Sequence, residues 1–337
     1  MEKRIEDIVR HSQGWEINRC TSYYPNLAIV NGFRPEHLGE AFGRVYKSLF
    51  EERKKYPKGS VENQSLKIIL NGSYGKMGDE YSFLYDIKPQ LQICINGQLL
   101  ILMLAEKLLS IPDLEIAQKN TDGISVRLRR KDLDQLNHWW KWWEELTGLQ
   151  LEDATYSKMI INNVNNYIAV YEEGYTKQKG MYEIDQDPHK NRSQRIVKIA
   201  LFQYFVHGIP IRETIENHLN KTEYKDGIDN QGIFDFCIGK KVKWNQSYVL
   251  RKGINEIPIK EKVIRYYITN QKGSMFKKYN DGRVSAISKG YNAELFQDYI
   301  ESDNYGINYE YYVNECYKVT TLFDGGNEKI GFQQTLW

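Results

Sequence analysis

The apolar positions of this chain change period several times along its length, and the changes mark out its elements. Between residues 36 and 56, Leu38, Ala41, Phe42, Val45, Tyr46, Leu49 and Phe50 recur at helical spacing. They predict an amphipathic helix that ends in the basic run Arg53, Lys54 and Lys55 before Pro57 and Gly59 break it. Residues 90–110, with Ile93, Leu99, Leu100, Leu102, Met103 and Leu108, predict a largely buried helix. A third helical pattern covers 132–147 and contains HWWKWW at 138–143, whose tryptophans are expected to pack an amphipathic face, a ligand cage being the alternative. Residues 193–208 predict another helix, with Ser193 as its N-cap and Gly208 just past its end. Shorter helices are expected at 211–219 and 228–238, and residues 1–10 are charged and helical in pattern. Strand character appears at 116–127, 159–171 and 257–279. Near the start, Ile17, Tyr23 and Tyr24 read as a strand that ends near Pro25 and turns into the apolar stretch 27–30.

Two stretches carry more chemistry than their patterns alone decide. In 61–78, Asn71 and Gly72 between apolar runs favour a β-hairpin. The helical alternative puts Lys67, Asn71 and Tyr74 on one face, where an ammonium, an amide and a ring together suit a nucleoside triphosphate. In 116–127, two alternating segments flank the polar tip Asn120, Thr121, Asp122 and Gly123, which predicts a β-hairpin holding one carboxylate at its end. An ordinary surface turn has the same chemistry.

Composition narrows the class. A chain of 337 residues is too long for one simple core and predicts two or three lobes. With 41% apolar and 27% charged residues it reads as a soluble globular protein. The net charge of +2 hides local segregation, and 25 Tyr and 7 Trp beside basic residues suit either stacking on bases or an aromatic core. Lys240, Lys241, Lys243, Trp244, Arg251 and Lys252, followed by strands that include Arg265, form a basic, aromatic region. It suits a sugar-phosphate groove, a solvated charged face being the alternative. Cys20, Cys94, Cys237 and Cys316 are far apart, so no zinc cluster or disulfide framework is indicated and a cytoplasmic location is expected. The most apolar run, 99–105, is too short to cross a bilayer, so no membrane partner is expected. Composition shifts near Asp185, the main expected boundary.

Five motifs in order, TSYYPNLAI, LKIILNGSYGKMG, KNTDGISV, NNVNNYIAV and KQKG, resemble the polymerase region of family B DNA polymerases, especially those of bacteriophages. The resemblance runs from about residue 21 to about residue 278. It implies an α+β right-hand polymerase fold truncated at its N-terminus, with palm at 1–30 and 85–185, fingers at 31–84 and thumb at 186–337. It also favours the helix over the hairpin at 61–78. Residue by residue, it implies that Tyr24 lies against the sugar, that Arg53, Lys67 and Asn71 meet the triphosphate, and that Tyr74 sits near the nascent pair. Asp122 would be the catalytic magnesium ligand, supported by Thr121, and Lys67 would share in catalysis. Asn165, Tyr167, Lys179, Gly180 and Arg265 would contact primer-template DNA.

The departures are chemical. Where the family has an aspartate three residues before the serine of SYYP, this chain has Arg19. Nucleotidyl transfer from a dNTP to a primer 3′-hydroxyl uses two magnesium ions about 4 Å apart, bridged by acids from both palm motifs. One carboxylate holds such a pair poorly. Asn120 and Asn165 replace an acid and a lysine, and Gly72 stands where the family usually has serine. The expectation is therefore a DNA-directed DNA polymerase, as the C-terminal fragment of a split or truncated phage enzyme partnered by a separate N-terminal polymerase/exonuclease fragment. The alternative is a catalytically inactive module that binds primer-template DNA. A reverse transcriptase would want two adjacent aspartates at the tip, which NTDG lacks.

Overall fold

The first strand ends earlier than the sequence pattern predicts, because Pro25 starts a helix instead of closing a strand. In the computed structural model, which describes residues 15–20, 22–184, 193–220, 231–296 and 304–324, β1 is Trp15–Cys20 and α1 is Tyr23–Asn31. Pro25 is the third residue of α1, where a backbone N–H would have no intrahelical partner and the fixed φ of proline suits the first turn. The helix expected at 1–10 lies outside the described residues.

By their contacts the described residues form two compact units, one drawn from 15–158 and 170–175 and the other from 159–169 and 176–324. In the first, a 3₁₀ turn at Glu36–Leu38 leads into α2 (Gly39–Lys54), followed by α3 (Val61–Lys76) and α4 (Ile87–Leu108). The β-hairpin favoured locally at 61–78 does not form. Ser60 caps α3 by accepting the Asn63 N–H at 3.2 Å, Leu70 is fully buried, and the Tyr46 hydroxyl donates to the Leu70 carbonyl at 2.7 Å. Capping and burial outweigh the turn preference of Asn71 and Gly72, which sit inside the helix.

Helix α4 buries Ile93, Ile101, Leu104 and Leu108, but Leu99 and Leu102 face outward in a stripe with Ile87, Leu91 and Ile95. It is thus half-buried where the sequence predicts a largely buried helix. By length and composition alone its 22 residues could cross a membrane, unlike the short run 99–105. Its inner side is a core face: the Tyr23 hydroxyl donates to the Gly97 carbonyl at 2.6 Å, and a Cβ at Gly97 would stand 3.1 Å from both Tyr23 and Leu27. After α4 come β2 (Glu115–Lys119), β3 (Gly123–Arg127) and α5 (Leu133–Thr147). Trp143 of α5 is fully buried and donates to the Leu100 carbonyl at 2.8 Å, so the tryptophan cluster does pack a helix. The short β4 (Leu151–Glu152) and the start of β5 (Thr155–Asn163) join the sheet, whose order is β2-β3-β1-β5 with β4 also on β1.

The second unit begins in the β5 hairpin with β6 (Asn166–Tyr171) and continues through β7 (Thr176–Lys179). Helix α6 (Arg195–Phe202) runs on as one π-turn, Gln203–His207, and stops at Gly208, whose φ of 72° is the left-handed end expected of it. Ser193 does not cap this helix: its Oγ accepts the Gly239 N–H at 2.8 Å, and Gln194 precedes the helix instead. Helices α7 (Ile211–Glu216), α8 (Gln231–Phe236) and α9 (Tyr309–Asp324) pack with α6. Residues 228–230 of an expected helix lie outside the described residues, and Ile238 belongs to a strand. Strands β8 (Ile238–Lys241), β11 (Val263–Ile268) and β14 (Ala293–Leu295) make one sheet in the order β14-β11-β8. Strands β9 (Gln246–Lys252), β10 (Asn255–Ile259), β12 (Ser274–Tyr279) and β13 (Val284–Tyr291) make another, β10-β9-β12-β13. Ile196, Phe236, Ile264, Tyr266 and Tyr312 lie at the centre of this unit's core.

Candidate functional site

The residues expected to meet a nucleotide converge on α1, α2 and α3. Tyr24 and Tyr74 stack, with ring centroids 4.5 Å apart and planes within 10° of parallel. Tyr74 is fixed further by a 2.6 Å contact between its hydroxyl and the Cys94 Sγ. Burial first, then this contact, pushes the Tyr74 phenol well above its ordinary value. Arg53, near the end of α2, donates to the Ser22 hydroxyl at 2.6 Å. Ser22 sits just before α1 with φ 48° and ψ 52°, a left-handed conformation that a serine adopts only when neighbours hold it. The Arg53 Nε is buried with no hydrogen-bond partner among the described residues, so the guanidinium keeps an unused donor. Lys67 and Asn71 are exposed on the same face of α3 as Tyr74, and neither makes an ion pair or side-chain hydrogen bond among the described residues.

Sequence patterns alone do not find the residues that hold this face. Asn63 is buried and its amide donates to the carbonyls of Arg53 and Tyr56, at 3.2 and 3.1 Å, tying α3 to the end of α2. A Ser60 cap with Asn63 three residues on was the available signal. Cys94 gave none, since its partner is remote in sequence.

The hairpin tip forms as expected: Asn120 N–H donates to the Gly123 carbonyl at 2.8 Å, leaving Thr121 and Asp122 as a two-residue turn. Asp122 is exposed and has no ion pair or hydrogen bond among the described residues. Thr121 is also exposed and, among the described residues, makes no side-chain bond that would support the tip. Strand β1 runs antiparallel to β3 and its register sets Arg19 directly opposite Gly123, the residue after Asp122. The strand position beside the acid is therefore occupied by a cationic residue type. Among the described residues no group of three or more His, Cys, Asp or Glu could hold a metal ion. One carboxylate beside an arginine position does not fit a two-magnesium site.

In the other unit, Asn165 lies in the β5–β6 turn, where its N–H donates to the Asn163 Oδ1 at 3.0 Å. Gly180 approaches that turn so closely that a Cβ would fall 2.2 Å from the Asn165 carbonyl oxygen, and its φ is 65°. Only glycine fits there. The Lys179 ammonium stands 5.8 Å from the centre of the Tyr167 ring, and Tyr167 is buried. Asn165, Tyr167, Lys179 and Gly180 thus form one cluster, in which Tyr167 supports from below. Arg265 is on another sheet, exposed on β11 opposite Gly239.

No family model matches the chain, and no curated protein matches it. A solved structure does. The family B DNA polymerase from the hyperthermophilic archaeon Pyrobaculum calidifontis superimposes with a TM-score of 0.50 at 14% identity, over 91% of this chain and 44% of that chain. At such identity the likeness concerns the fold: this mixed helix and sheet chain shares the fold of part of a family B polymerase, and it spans less than half of that protein's length.

Proposed function

We propose that the chain is the palm, fingers and thumb portion of a family B DNA polymerase of bacteriophage type, binding primer-template DNA and an incoming dNTP. On this reading 1–30 and 85–185 are palm, 31–84 fingers and 186–337 thumb. The observation that carries it is the assembled face of α1, α2 and α3: a Tyr24–Tyr74 stack, an Arg53 pinned to Ser22, and exposed Lys67 and Asn71. Such a face offers a ring platform to a base or sugar and three polar groups to a triphosphate. Lys67 is the cation that would offset phosphate charge as it builds up during transfer. Asn165, Lys179 and Gly180 would grip the duplex backbone, with Arg265 as a further phosphate contact.

On the polymerase reading the reaction is attack of a primer 3′-hydroxyl on a dNTP with loss of pyrophosphate. The donor set among the described residues does not fit the paired ions of that reaction, and a separate N-terminal fragment is the candidate source of a second carboxylate. A second reading has its own support. Arg19 opposite Gly123 favours a catalytically inert module that holds primer-template DNA.

Primer extension by the purified chain with magnesium or manganese separates them. Extension that Asp122→Ala abolishes establishes the polymerase. Tight primer-template binding without extension, by the chain and by its Arg19→Asp variant alike, establishes the inert module. Failure to bind primer-template at all removes both.

A further inference from the structure

The turn between β8 and β9 exposes an aromatic side chain in a cationic setting. Trp244 is 92% exposed, although it is the residue type with most to gain from burial. Its turn is not loose: the Gln246 N–H donates to the Lys243 carbonyl at 3.1 Å, and the Val242 N–H donates to the Lys262 carbonyl at 2.9 Å. That second bond brings the 260–262 loop beside the turn, and the β8–β11 register sets Lys241 opposite Val263. Lys241, Lys243 and Lys262 are all exposed, and none of them, nor Lys240, has an ion pair among the described residues. The carboxylate in this stretch is Glu261.

We propose that Trp244, with Lys241, Lys243 and Lys262, is a contact for single-stranded DNA, the indole stacking on an unpaired base and the ammonium groups meeting its flanking phosphates. Charge decides the class of occupant, because lysines without anionic partners complement a polyanion. The ring decides the form of that polyanion. A duplex presents its base faces only at its ends, whereas an unpaired strand offers one at every nucleotide, and stacking is indifferent to sequence. Holding the ring on a hydrogen-bonded turn lowers the entropy lost on stacking. This site shares no residue with the nucleotide face or with the Asn165–Gly180 cluster, and does not depend on the polymerase reading.

The test compares a labelled oligothymidylate with a blunt duplex, both by fluorescence anisotropy on the full chain. Trp244→Ala is expected to weaken oligothymidylate binding about tenfold and to leave blunt-duplex binding within about twofold. Trp244→Phe should retain most of the affinity, which a folding defect would not permit. Lys241→Ala with Lys243→Ala should flatten the dependence of log affinity on log salt by about one to two. Oligothymidylate binding unchanged in Trp244→Ala overturns the proposal, and so does an equal loss of blunt-duplex binding.

Discussion

The face made by α1, α2 and α3 and the tip made by β2 and β3 belong to one compact unit, yet they are built on opposite terms. On the helical face the rings and Arg53 are held by neighbours, while Lys67 and Asn71 stay exposed: Tyr24 is held by Tyr74, Tyr74 by Cys94, Ser22 by Arg53, and the end of α2 by Asn63. At the tip, Asp122 is held by its backbone turn alone, and the neighbouring strand brings Arg19. On the proposed reading, binding a nucleotide and activating it are therefore separable. A substitution at the tip is expected to disturb no side-chain contact of the helices, and so to change chemistry without changing nucleotide binding.

The largest effect should come from mending the tip. Arg19→Asp places an acid at the strand position beside Asp122 and is expected to raise primer extension by at least about tenfold. Adding Asp122→Asn to that variant should return extension to background. Extension that stays at background in Arg19→Asp, with dNTP binding intact, would mean that the two strand positions do not cooperate.

The converse variant breaks the helical face. Arg53→Ala removes the donor to Ser22 and the buried Nε together. It should weaken dNTP binding about ten- to hundredfold and lower stability by about 1–3 kcal/mol, since Ser22 keeps its left-handed conformation without its partner. Asp122→Ala, at an exposed residue with no ion pair or side-chain hydrogen bond among the described residues, should shift stability by less than about 0.5 kcal/mol. Urea unfolding and nucleotide titration read both; equal losses in the two variants would erase the contrast between face and tip.

A smaller effect separates the face from the tip by pH. Burial raises the Tyr74 phenol above its ordinary value of 10.0. Below about pH 10 both folded and unfolded states carry the neutral phenol, so its contribution is fully present. Above that the unfolded chain ionises first, and the contribution is lost as pH rises towards the folded value. Tyr74→Phe should reduce the drop in urea midpoint between about pH 9 and pH 11, and Asp122→Asn should leave that drop unchanged.

The sequence was legible where a single physical cause acts. The 36–56 and 132–147 helices follow from their apolar period, and the NTDG hairpin follows from turn chemistry. It was misleading where a local preference met tertiary burial. Asn71-Gly72 reads as a turn until Ser60, Leu70 and Tyr46 are known to fix a helix around it, and only the five-motif resemblance pointed that way. Pro25 misled because a proline is read as a terminator, although it serves equally in a first turn. The candidate nucleotide residues were named in sequence, but the contacts that hold them, Ser22 to Arg53 and Tyr74 to Cys94, join positions 31 and 20 residues apart that no pattern links.

Gly72 gives the smallest expected effect and the sharpest check on α3. It lies in the middle of a helix, has no left-handed backbone angle, and a Cβ built there meets nothing within 4 Å. Nothing in the fold requires glycine, which in a helix interior costs about 0.5–1 kcal/mol relative to alanine. Gly72→Ala should therefore raise stability by about that amount, read as a shift in urea midpoint at constant slope. The position stands between Asn71 and Tyr74 but points a methyl into open space, so dNTP affinity should hold or rise slightly as the helix that carries Lys67 stiffens. A loss of nucleotide affinity with the gain in stability would mean that α3 must bend at Gly72 to close on its ligand, and the helical face would then be a moving part where the tip is the fixed one.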